Sequence, residues 1–326
     1  MRNEEQHIAK TLESLLVQTY PRECYELIVI DGQSSDRSLE IVEDLRRSAP
    51  GIRILTNSAG IVPIALNLGI LNARGEIIIR ADAHTVYPSH YIETCVRCLE
   101  ETGADNVGGP ILTVPANGSL SARLVGAVLS NPFGVGNSRF RTSSREGLVD
   151  TVPFGTFRKE LFQHIGLFNE TLVRNQDKEL NARIRNTGGT IYLSLALTTL
   201  YYPTDSFPTL LRQTYVNSRW HVYTFRQNAG ALSTRHVLPA CFAAVLITLM
   251  IGSFVTNLGL LALGCLLTIY MVAAVYFSMR IFQHNTPVLL LALPFAFLCF
   301  HLAYGLGTMA GLRFLLQQPS TRPIKS

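Results

Sequence analysis

The spacing of apolar residues alternates between two periods over the first eighty positions. Apolar residues three and four apart predict a helix that begins near His7, and the run Glu26-Leu27-Ile28-Val29-Ile30 predicts a buried strand that ends at Asp31. The same pattern then predicts a helix from Ser38 to about Arg47, a strand over 52–55, a helix from Pro63 to Asn72 and a strand over 76–79. Repeated βα units with apolar strands are typical of an α/β domain with a mostly parallel sheet.

One expected element is missing from this pattern. A doubly wound α/β domain normally opens with a strand, whereas this sequence opens with Arg2-Asn3-Glu4-Glu5 and a helix. We therefore expect the functional form to be longer at its N-terminus, with one more apolar strand that pairs beside the strand ending at Asp31.

The pattern changes after about residue 205. Aromatic residues alternate with arginines over 206–235, which predicts amphipathic helices at a membrane interface; a helix packing on the soluble domain is the alternative. Three apolar segments follow at 237–255, 258–277 and 287–312, each long enough to cross a hydrocarbon core of about 30 Å. The predicted organisation is an α/β domain over 1–205, interfacial helices over 206–235, a transmembrane region over 236–312 and a polar tail over 313–326.

Charge and composition support a membrane protein. The chain has 326 residues, of which 48% are hydrophobic and 16% charged, and a net charge of +5. Arg235 and Arg280 flank the first two apolar segments, whereas the turn at Thr256-Asn257 is uncharged, so the positive-inside rule predicts a soluble domain in the cytoplasm of an inner-membrane protein. Whether the third segment spans stays open, because spanning would leave the basic tail outside. No nucleic-acid-binding signature is present.

Cysteine usage adds no metal or redox motif of its own. The six cysteines include one CxxC pair, Cys95 and Cys98, which lies in a helical pattern without a second pair. Packing inside the domain is therefore favoured over a zinc or redox role, and no disulfide framework is indicated.

The most informative side chains follow the strand over 76–79. Asp82 and His84 lie two residues apart beyond its end, so strand alternation predicts that both point in the same direction. A carboxylate and an imidazole in this arrangement can hold one divalent cation, which is what a bound diphosphate requires. The alternative is a strand-end acid paired with a nearby base.

Short blocks occur in a fixed order over residues 3–205. They are Asn3-Glu4, Asp31-Gly32 with Ser35-Asp36, Asn67-Leu68-Gly69-Ile70 with Ala73-Arg74-Gly75-Glu76, Asp82-Ala83-His84, and Asn175-Gln176-Asp177 with Glu179-Leu180, Arg183 and Gly188-Gly189. In this order and spacing the chain resembles the family 2 glycosyltransferases, inverting enzymes with the GT-A fold that use a nucleotide-diphosphate sugar.

Further segments narrow the resemblance. His84 replaces the usual second aspartate, and Gly108-Gly109-Pro110, Pro132-Phe133-Gly134-Val135-Gly136 and Val152-Pro153-Phe154-Gly155 look like succinoglycan-type exopolysaccharide glucosyltransferases. The resemblance implies transfer of glucose, or a similar hexose, from a UDP-sugar to a lipid-linked oligosaccharide at a membrane. Polysaccharide-assembly proteins are candidate partners.

The resemblance also assigns site residues. It implies that Asp177 is the catalytic base, with the alternative of a plain acid at a helix N-terminus, where the helix dipole favours the ionised form. Nucleotide-sugar binding is expected at Glu4, Asp31 and Asp82, and a Mn²⁺ or Mg²⁺ ion at Asp82 and His84. Positions expected on the acceptor side are Gly155, Thr156, Gln176, Arg219 and Trp220.

Processive members of the family carry Gln-x-x-Arg-Trp, whereas here Gln213 is separated from Arg219-Trp220 by five residues. This departure favours addition of a single sugar. For Arg219 and Trp220, anchoring in a membrane interface is the alternative to acceptor binding.

Two other functions remain to be separated from this one. A polyprenyl-phosphate sugar synthase has the same fold but a bare lipid phosphate as acceptor, and the long insert from about Gly108 to Thr151 favours a larger saccharide. A non-catalytic membrane scaffold is the second alternative. The presence of Asp31, Asp82 and Asp177 argues against it, because a scaffold does not require these side chains.

Overall fold

The computed structural model describes residues 1–49, 51–142, 144–281 and 287–315. The predicted polar tail from residue 316 onward lies outside the described residues.

The helices and strands are numbered here in chain order. The strands are β1 (Leu27–Asp31), β2 (Ile52–Thr56), β3 (Ile77–Ile79), β4 (Thr85–Val86), β5 (Asn106–Gly108), β6 (Ile111–Thr113), β7 (Gly147–Leu148), β8 (Thr156–Arg158), β9 (Ile191–Leu193) and β10 (Thr199–Tyr201). The α-helices are α1 (Ile8–Leu16), α2 (Ser38–Ser48), α3 (Val62–Asn72), α4 (Tyr91–Thr102), α5 (Leu120–Ser130), α6 (Pro132–Val135), α7 (Arg139–Thr142), α8 (Leu161–Ile165), α9 (Gln176–Asn186), α10 (Phe207–Gln227), α11 (Thr234–Ser253), α12 (Asn257–Ile281) and α13 (Pro287–Gly311).

The described chain divides into two compact units. The first contains residues 1–112 and 144–202, and the second contains 113–142 together with the described residues from 203 onward. The division at 203 is close to the predicted boundary at 205. The difference is the segment 113–142, which belongs with the C-terminal helices because its own apolar helix, α5, packs among them.

The sheets of the first unit are mixed. β1 pairs with β2 in parallel, and the larger sheet has the order β3-β8-β5-β9-β7. In that sheet β5 and β9 are parallel, while β8 is antiparallel to β3 and β5 and β7 is antiparallel to β9. The predicted α/β class is confirmed, but pairing is less parallel than expected because β7 and β8, which follow the 113–142 insert, run opposite to β5.

The free side of β1 is lined by the start of the chain. The amino group of Met1 donates a hydrogen bond to the Ile30 carbonyl at 2.7 Å, and the Gly32 amide donates to the Met1 carbonyl at 2.9 Å. The next residues contact the start of α2, since the Glu4 amide donates to the hydroxyl of Ser38, the first residue of that helix, at 2.7 Å. These bonds place Glu4 beside the end of β1.

Helix α4 contains the CxxC pair. Cys95 and Cys98 are free thiols buried against the sheet, and burial raises the pKa of Cys95 to about 12. A buried thiol with a raised pKa is an inert packing group. The prediction of a packing role for this pair is therefore supported by the structure.

The second unit is built around α13. Its core cluster joins α5 to the C-terminal helices and contains Val125, Val128, Leu129, Leu210, Tyr270, Ala274, Leu293, Ala296, Phe297 and Phe300. Glycines allow close packing: a Cβ at Gly305 would collide with the backbone of Pro239 in α11, and one at Gly311 with the Arg219 carbonyl in α10. Helices α11, α12 and the α13 segment that continues to Leu315 are each long and apolar enough to cross a membrane.

Candidate functional site

The loop that follows β3 is fixed at several points. The Arg80 amide donates to the Gly155 carbonyl at 3.0 Å, which continues the β3–β8 ladder by one residue. The Asp82 amide donates to the Tyr87 hydroxyl at 2.8 Å, and the Thr11 hydroxyl of α1 donates to the Ala83 carbonyl at 2.8 Å. These bonds fix the backbone of the loop at Arg80, Asp82 and Ala83.

The prediction that strand alternation gives the Asp82 and His84 side chains the same direction is wrong. β3 ends at Ile79, and Ala83 and His84 form a turn before β4. The strand does not extend through the motif because the chain turns at Ala83 and His84 into β4, which belongs to a different sheet, so strand alternation does not apply here. The two side chains nevertheless lie close enough for the Asp82 carboxylate to influence the His84 imidazole.

His84 is paired with a residue from the start of the chain. Its Nδ1 lies 3.2 Å from Glu4 Oε1, and its ring lies edge-on to Tyr201 with a centroid separation of 5.2 Å. Burial alone lowers the pKa of His84, but the hydrogen bond to Glu4 and the charge of Asp82 outweigh it and raise the pKa above its ordinary value. Glu4 therefore contacts the metal motif directly.

Arg80 connects that motif to the candidate base. Its Nη2 donates to Asp82 Oδ1 at 3.2 Å, and its Nη1 lies 3.8 Å from Asp177 Oδ2. Only 12% of the Arg80 side chain is exposed. Burial disfavours the charged form of the guanidinium, but Asp82 and Asp177 outweigh it and raise the pKa of Arg80 above its ordinary value. The guanidinium is a fixed positive charge between two carboxylates.

Asp177 lies in the first turn of α9, as predicted. The residue before the helix, Asn175, has a φ of 61°, and the Lys178 amide donates to Asp177 Oδ1 at 3.1 Å. The Asp177 side chain is 37% exposed. A carboxylate at a helix N-terminus, held by a neighbouring cation and open to solvent, has the charge and the access that a base requires.

Asp31 ends β1, also as predicted, and is buried. Its carboxylate accepts hydrogen bonds from the Gln33 amide at 3.1 Å and from the Ser34 amide and hydroxyl at 3.2 and 2.6 Å. The side chain thus stabilises the turn beyond β1. Contact with the nucleotide stays a prediction.

Backbone strain is concentrated next to these motifs. In the described part of the chain, the non-glycine residues with positive φ are Asn3, Gln33, Phe154 and Asn175. Each lies one or two residues from a residue that the sequence marked, namely Glu4, Asp31, Gly155 and Asp177. Positive φ costs free energy in a non-glycine residue and clusters at functional sites, so this distribution independently supports the site.

Three acceptor-side predictions fall in the first unit. Gly155 accepts the Arg80 hydrogen bond, and a Cβ there would collide with Asn106 Oδ1 and the Phe157 ring. Thr156 begins β8 and is fully buried, and Gln176, the first residue of α9, is buried as well. These positions shape the surroundings of Arg80 and Asp177; their contact with an acceptor stays a prediction.

The other two acceptor-side predictions lie on α10 in the second unit. The Arg219 guanidinium lies 5.8 Å from the centroid of the Phe314 ring. Trp220 is completely buried, with ring-centroid separations of 5.4 Å to Tyr223 and 5.8 Å to Phe314. Burial contradicts the alternative that Trp220 is an anchor at a membrane surface. Acceptor contact by Arg219 and Trp220 stays a prediction.

The donor groups at Asp82 and His84 suit a hard divalent cation. A carboxylate oxygen and an imidazole nitrogen are common ligands of Mn²⁺, and Mg²⁺ accepts one or two carboxylates with substrate phosphates. In the described residues no group of three or more His, Cys, Asp and Glu side chains is arranged to hold a metal ion alone. A carboxylate and an imidazole suit a cation that would take its remaining ligands from a bound diphosphate.

Sequence reasoning missed two residues of this site. Arg80 precedes the motif and was assigned no role, and Tyr87, whose hydroxyl holds the Asp82 amide, was not considered. A signal for Arg80 was present, since an arginine directly after three isoleucines of a buried strand requires carboxylate partners. The identity of those partners depends on the tertiary fold.

The fold and the paired motifs define a nucleotide-sugar-dependent transferase class, and comparison with known families agrees. The model of "Glycosyl transferase family 2" matches residues 1–166. The chain belongs to this family and is a glycosyltransferase.

Two relatives extend over most of the chain. A "Dolichyl N-acetyl-alpha-D-glucosaminyl phosphate 3-beta-D-2,3-diacetamido-2,3-dideoxy-beta-D-glucuronosyltransferase" of Methanococcus voltae is 28% identical over 320 residues, which cover 95% of this chain and 94% of that one. The "Succinoglycan biosynthesis protein ExoA" of Rhizobium meliloti is 27% identical over 270 residues, which cover 81% of each chain. The predicted likeness to the succinoglycan type is confirmed.

Solved structures confirm the GT-A fold. The mannosyltransferase PcManGT from Pyrobaculum calidifontis, in complex with GDP-Man and Mn²⁺, has a TM-score of 0.54 and 16% identity, covering 97% of this chain and 83% of that one. TarS 1-349 of S. aureus in complex with UDP-GlcNAc has a TM-score of 0.52 and 15% identity, covering 96% and 90%.

Proposed function

We propose that this protein is an inverting transferase that moves a hexose, with glucose as the first candidate, from a UDP-sugar to a lipid-linked oligosaccharide. The product enters an exopolysaccharide or another cell-surface polysaccharide. The observation that carries the proposal is the pairing of family blocks that lie far apart in sequence: Glu4 contacts His84, and Arg80 joins Asp82 to Asp177.

The chemistry follows from these positions. Asp177 accepts the proton of the acceptor hydroxyl while that oxygen attacks the anomeric carbon of the donor sugar. A new carbon–oxygen bond forms on one face of the sugar as the bond to the diphosphate breaks on the other, and UDP leaves with the bonding electron pair. The configuration at the anomeric carbon is inverted.

A divalent cation, Mn²⁺ or Mg²⁺, supplies positive charge to the departing diphosphate when it is bound. Asp82 and His84 are the residues that would hold it, and Glu4, hydrogen-bonded to His84, would orient the imidazole. Asp31 and Asp82 would bind the uridine part of the donor.

The names of the relatives favour a saccharide already attached to a lipid. The Methanococcus voltae enzyme is named for a dolichyl N-acetylglucosaminyl phosphate, which carries a sugar on the lipid phosphate, and the Rhizobium meliloti protein is named for succinoglycan biosynthesis. A polyprenyl-phosphate sugar synthase, by contrast, would use the bare lipid phosphate.

The apolar helices α11, α12 and α13 support a membrane location, and we propose an inner-membrane protein whose catalytic unit faces the cytoplasm.

The test uses the full chain in lipid nanodiscs with radiolabelled UDP-glucose, UDP-galactose, UDP-N-acetylglucosamine and UDP-glucuronate. Each donor is offered with a lipid-diphosphate-linked saccharide or with bare polyprenyl phosphate. We expect one donor, UDP-glucose first, to label only the saccharide acceptor. Labelling of the bare phosphate alone would identify a polyprenyl-phosphate sugar synthase, and a chain that binds no UDP-sugar and labels neither acceptor would support the scaffold alternative.

A further inference from the structure

Arg80 is the one charged side chain that touches both of the carboxylate motifs in the described first unit. It donates to Asp82 at 3.2 Å through Nη2 and forms an ion pair with Asp177 at 3.8 Å through Nη1. The second distance is that of an ion pair rather than a hydrogen bond. Asp82 and Asp177 are ninety-five residues apart in sequence, and this guanidinium connects them in the folded chain.

The position of Arg80 is set by the sheet. Its amide continues the β3–β8 ladder by donating to Gly155, and its Nε is buried without a hydrogen-bond partner in the described residues. Gly155 has no room for a side chain, because a Cβ would collide with Asn106 and Phe157. The backbone is thus held in place at Arg80 and at Gly155. Because only 12% of the Arg80 side chain is exposed, the guanidinium has little freedom to move relative to the two carboxylates.

Asp177 has few other restraints. In the described structure its Oδ1 accepts from the amide of the next residue, Lys178, and its side chain is 37% exposed. Without the Arg80 contact the carboxylate is free to rotate toward solvent. A general base acts only within hydrogen-bond reach of the proton that it accepts, so its orientation directly affects the rate.

We propose that Arg80 is a positioning residue that fixes the Asp177 carboxylate relative to Asp82, and thereby relative to the anomeric carbon of a donor bound at Asp82. The proposal rests on the proposed function of Asp177 as the base. The planar fork of arginine suits this task, because two different nitrogens face two carboxylates in one fixed geometry.

The test compares Arg80→Met and Arg80→Lys with wild type in the full chain. For Arg80→Met we expect kcat to fall about 10- to 100-fold, the scale of a displaced reacting group. UDP binding, measured by calorimetry at a fixed cation concentration, is expected to change much less than kcat, because the proposed role of Arg80 is to hold the base through its contacts with the two carboxylates. Arg80→Lys retains the charge but not the fork, so an intermediate kcat is expected.

Arg158→Met, which removes another half-buried arginine from the same sheet, is the matched control and should retain wild-type kcat.

A double variant separates positioning from a general structural defect. In an Asp177→Asn background, Arg80→Met should cause no further loss of rate, because the base through which it acts is already absent. A further loss of the same size in that background, wild-type kcat in Arg80→Met, or a loss of UDP affinity as large as the loss of kcat would overturn the role of Arg80. A single Asp177→Asn variant that keeps its activity would instead overturn the proposed base, so the two failures are distinguishable.

Discussion

At the scale of single residues, the site is a set of paired polar side chains within the first unit. Glu4 pairs with His84, and Arg80 lies between Asp82 and Asp177. These contacts allow several half-buried ionisable groups to lie together, since Arg80 faces both aspartates and the His84 ring shares a hydrogen bond with Glu4. A donor diphosphate adds negative charge to this group, and the site therefore requires additional positive charge to bind it.

We predict that Asp177→Asn abolishes transfer and leaves donor binding nearly intact. The amide keeps the size of the carboxylate but does not accept a proton at neutral pH, and loss of a positioned base lowers the rate by about 10²- to 10⁴-fold. Radiolabel transfer and UDP calorimetry measure the two quantities separately. Asp44→Asn, which changes an exposed acid on α2, is the control. Retention of more than about a tenth of the wild-type rate would mean that another residue is the base.

We also predict that donor binding depends on a divalent cation through Asp82 and His84. Titration of the UDP-sugar should give a higher affinity with Mn²⁺ or Mg²⁺ than with a chelator. His84→Ala should reduce that gain by about 10-fold or more, since even outer-shell changes alter metal affinity on that scale.

His164→Ala, which removes an exposed histidine from α8, is the matched control for this titration and should behave as wild type. Equal affinity with and without the cation, or an unchanged gain in His84→Ala, would exclude His84 as a metal ligand.

At the scale of elements, apolar pattern predicted the local structure well. The helices α1, α2 and α3, the strands β1, β2 and β3 and the start of α9 lie where the pattern placed them. Buried strands and amphipathic helices are specified by their own residues, so local sequence is sufficient. What was not predictable depends on distant partners: the ion pairs of Arg80, the antiparallel entry of β7 and β8, and the burial of Trp220.

The segment 113–142 illustrates this limit. It lies within the insert from about Gly108 to Thr151, whose length favoured a larger saccharide acceptor, and its helices α5 and α6 pack in the second unit. Phe133 contacts the rings of Tyr270, Phe277, Phe297 and His301, with centroid separations of 5.2 to 5.4 Å. His301 adds a hydrogen bond from Nε2 to the Phe133 carbonyl at 2.9 Å, while its Nδ1 accepts from the Tyr270 hydroxyl at 2.8 Å. An eleven-residue apolar helix alone does not show whether its partner is a sheet or a membrane helix.

We predict that Phe133→Ala destabilises the second unit. Loss of a half-buried ring with four aromatic neighbours should lower the free energy of unfolding by about 2 kcal/mol, less than for a fully buried phenylalanine. Thermal unfolding of the detergent-solubilised chain measures the effect. Phe254→Ala is the matched control, since Phe254 is 89% exposed at the turn before α12. Equal melting temperatures for the two variants would show that the contacts of Phe133 do not stabilise the unit.

At the scale of the whole molecule, one chain combines a GT-A unit with apolar helices that can span a membrane. The sequence predicted a boundary near residue 205, where charge and aromatic pattern change, and the two compact units divide at residue 203. The fold class was visible because several family blocks occur in order. Orientation in a membrane is a separate matter, since it depends on the distribution of Arg and Lys beside the spans and not on the fold.

We predict that the catalytic unit faces the cytoplasm and that the turn between α11 and α12 faces outward. That turn carries no charge, whereas Arg235 and Arg280 lie near the opposite ends of these two helices, and positive charge is retained on the cytoplasmic side. A membrane-impermeant maleimide applied to intact cells should modify a cysteine placed at Asn257 and spare one placed at Ser35. Both positions are exposed in the structure, so access is limited by the membrane and not by packing.

The parent chain for this labelling experiment is chosen from the burial of its native cysteines. Cys24, Cys241, Cys265 and Cys299 are exposed and are replaced by serine, while the buried Cys95 and Cys98 are retained. This parent should remain unlabelled in intact cells, and permeabilised cells should label both engineered positions. Labelling at Ser35 but not at Asn257 in intact cells would reverse the topology. It would then place the nucleotide-sugar site on the side of the membrane that lacks cytoplasmic UDP-sugars, and so would also contradict the proposed donor.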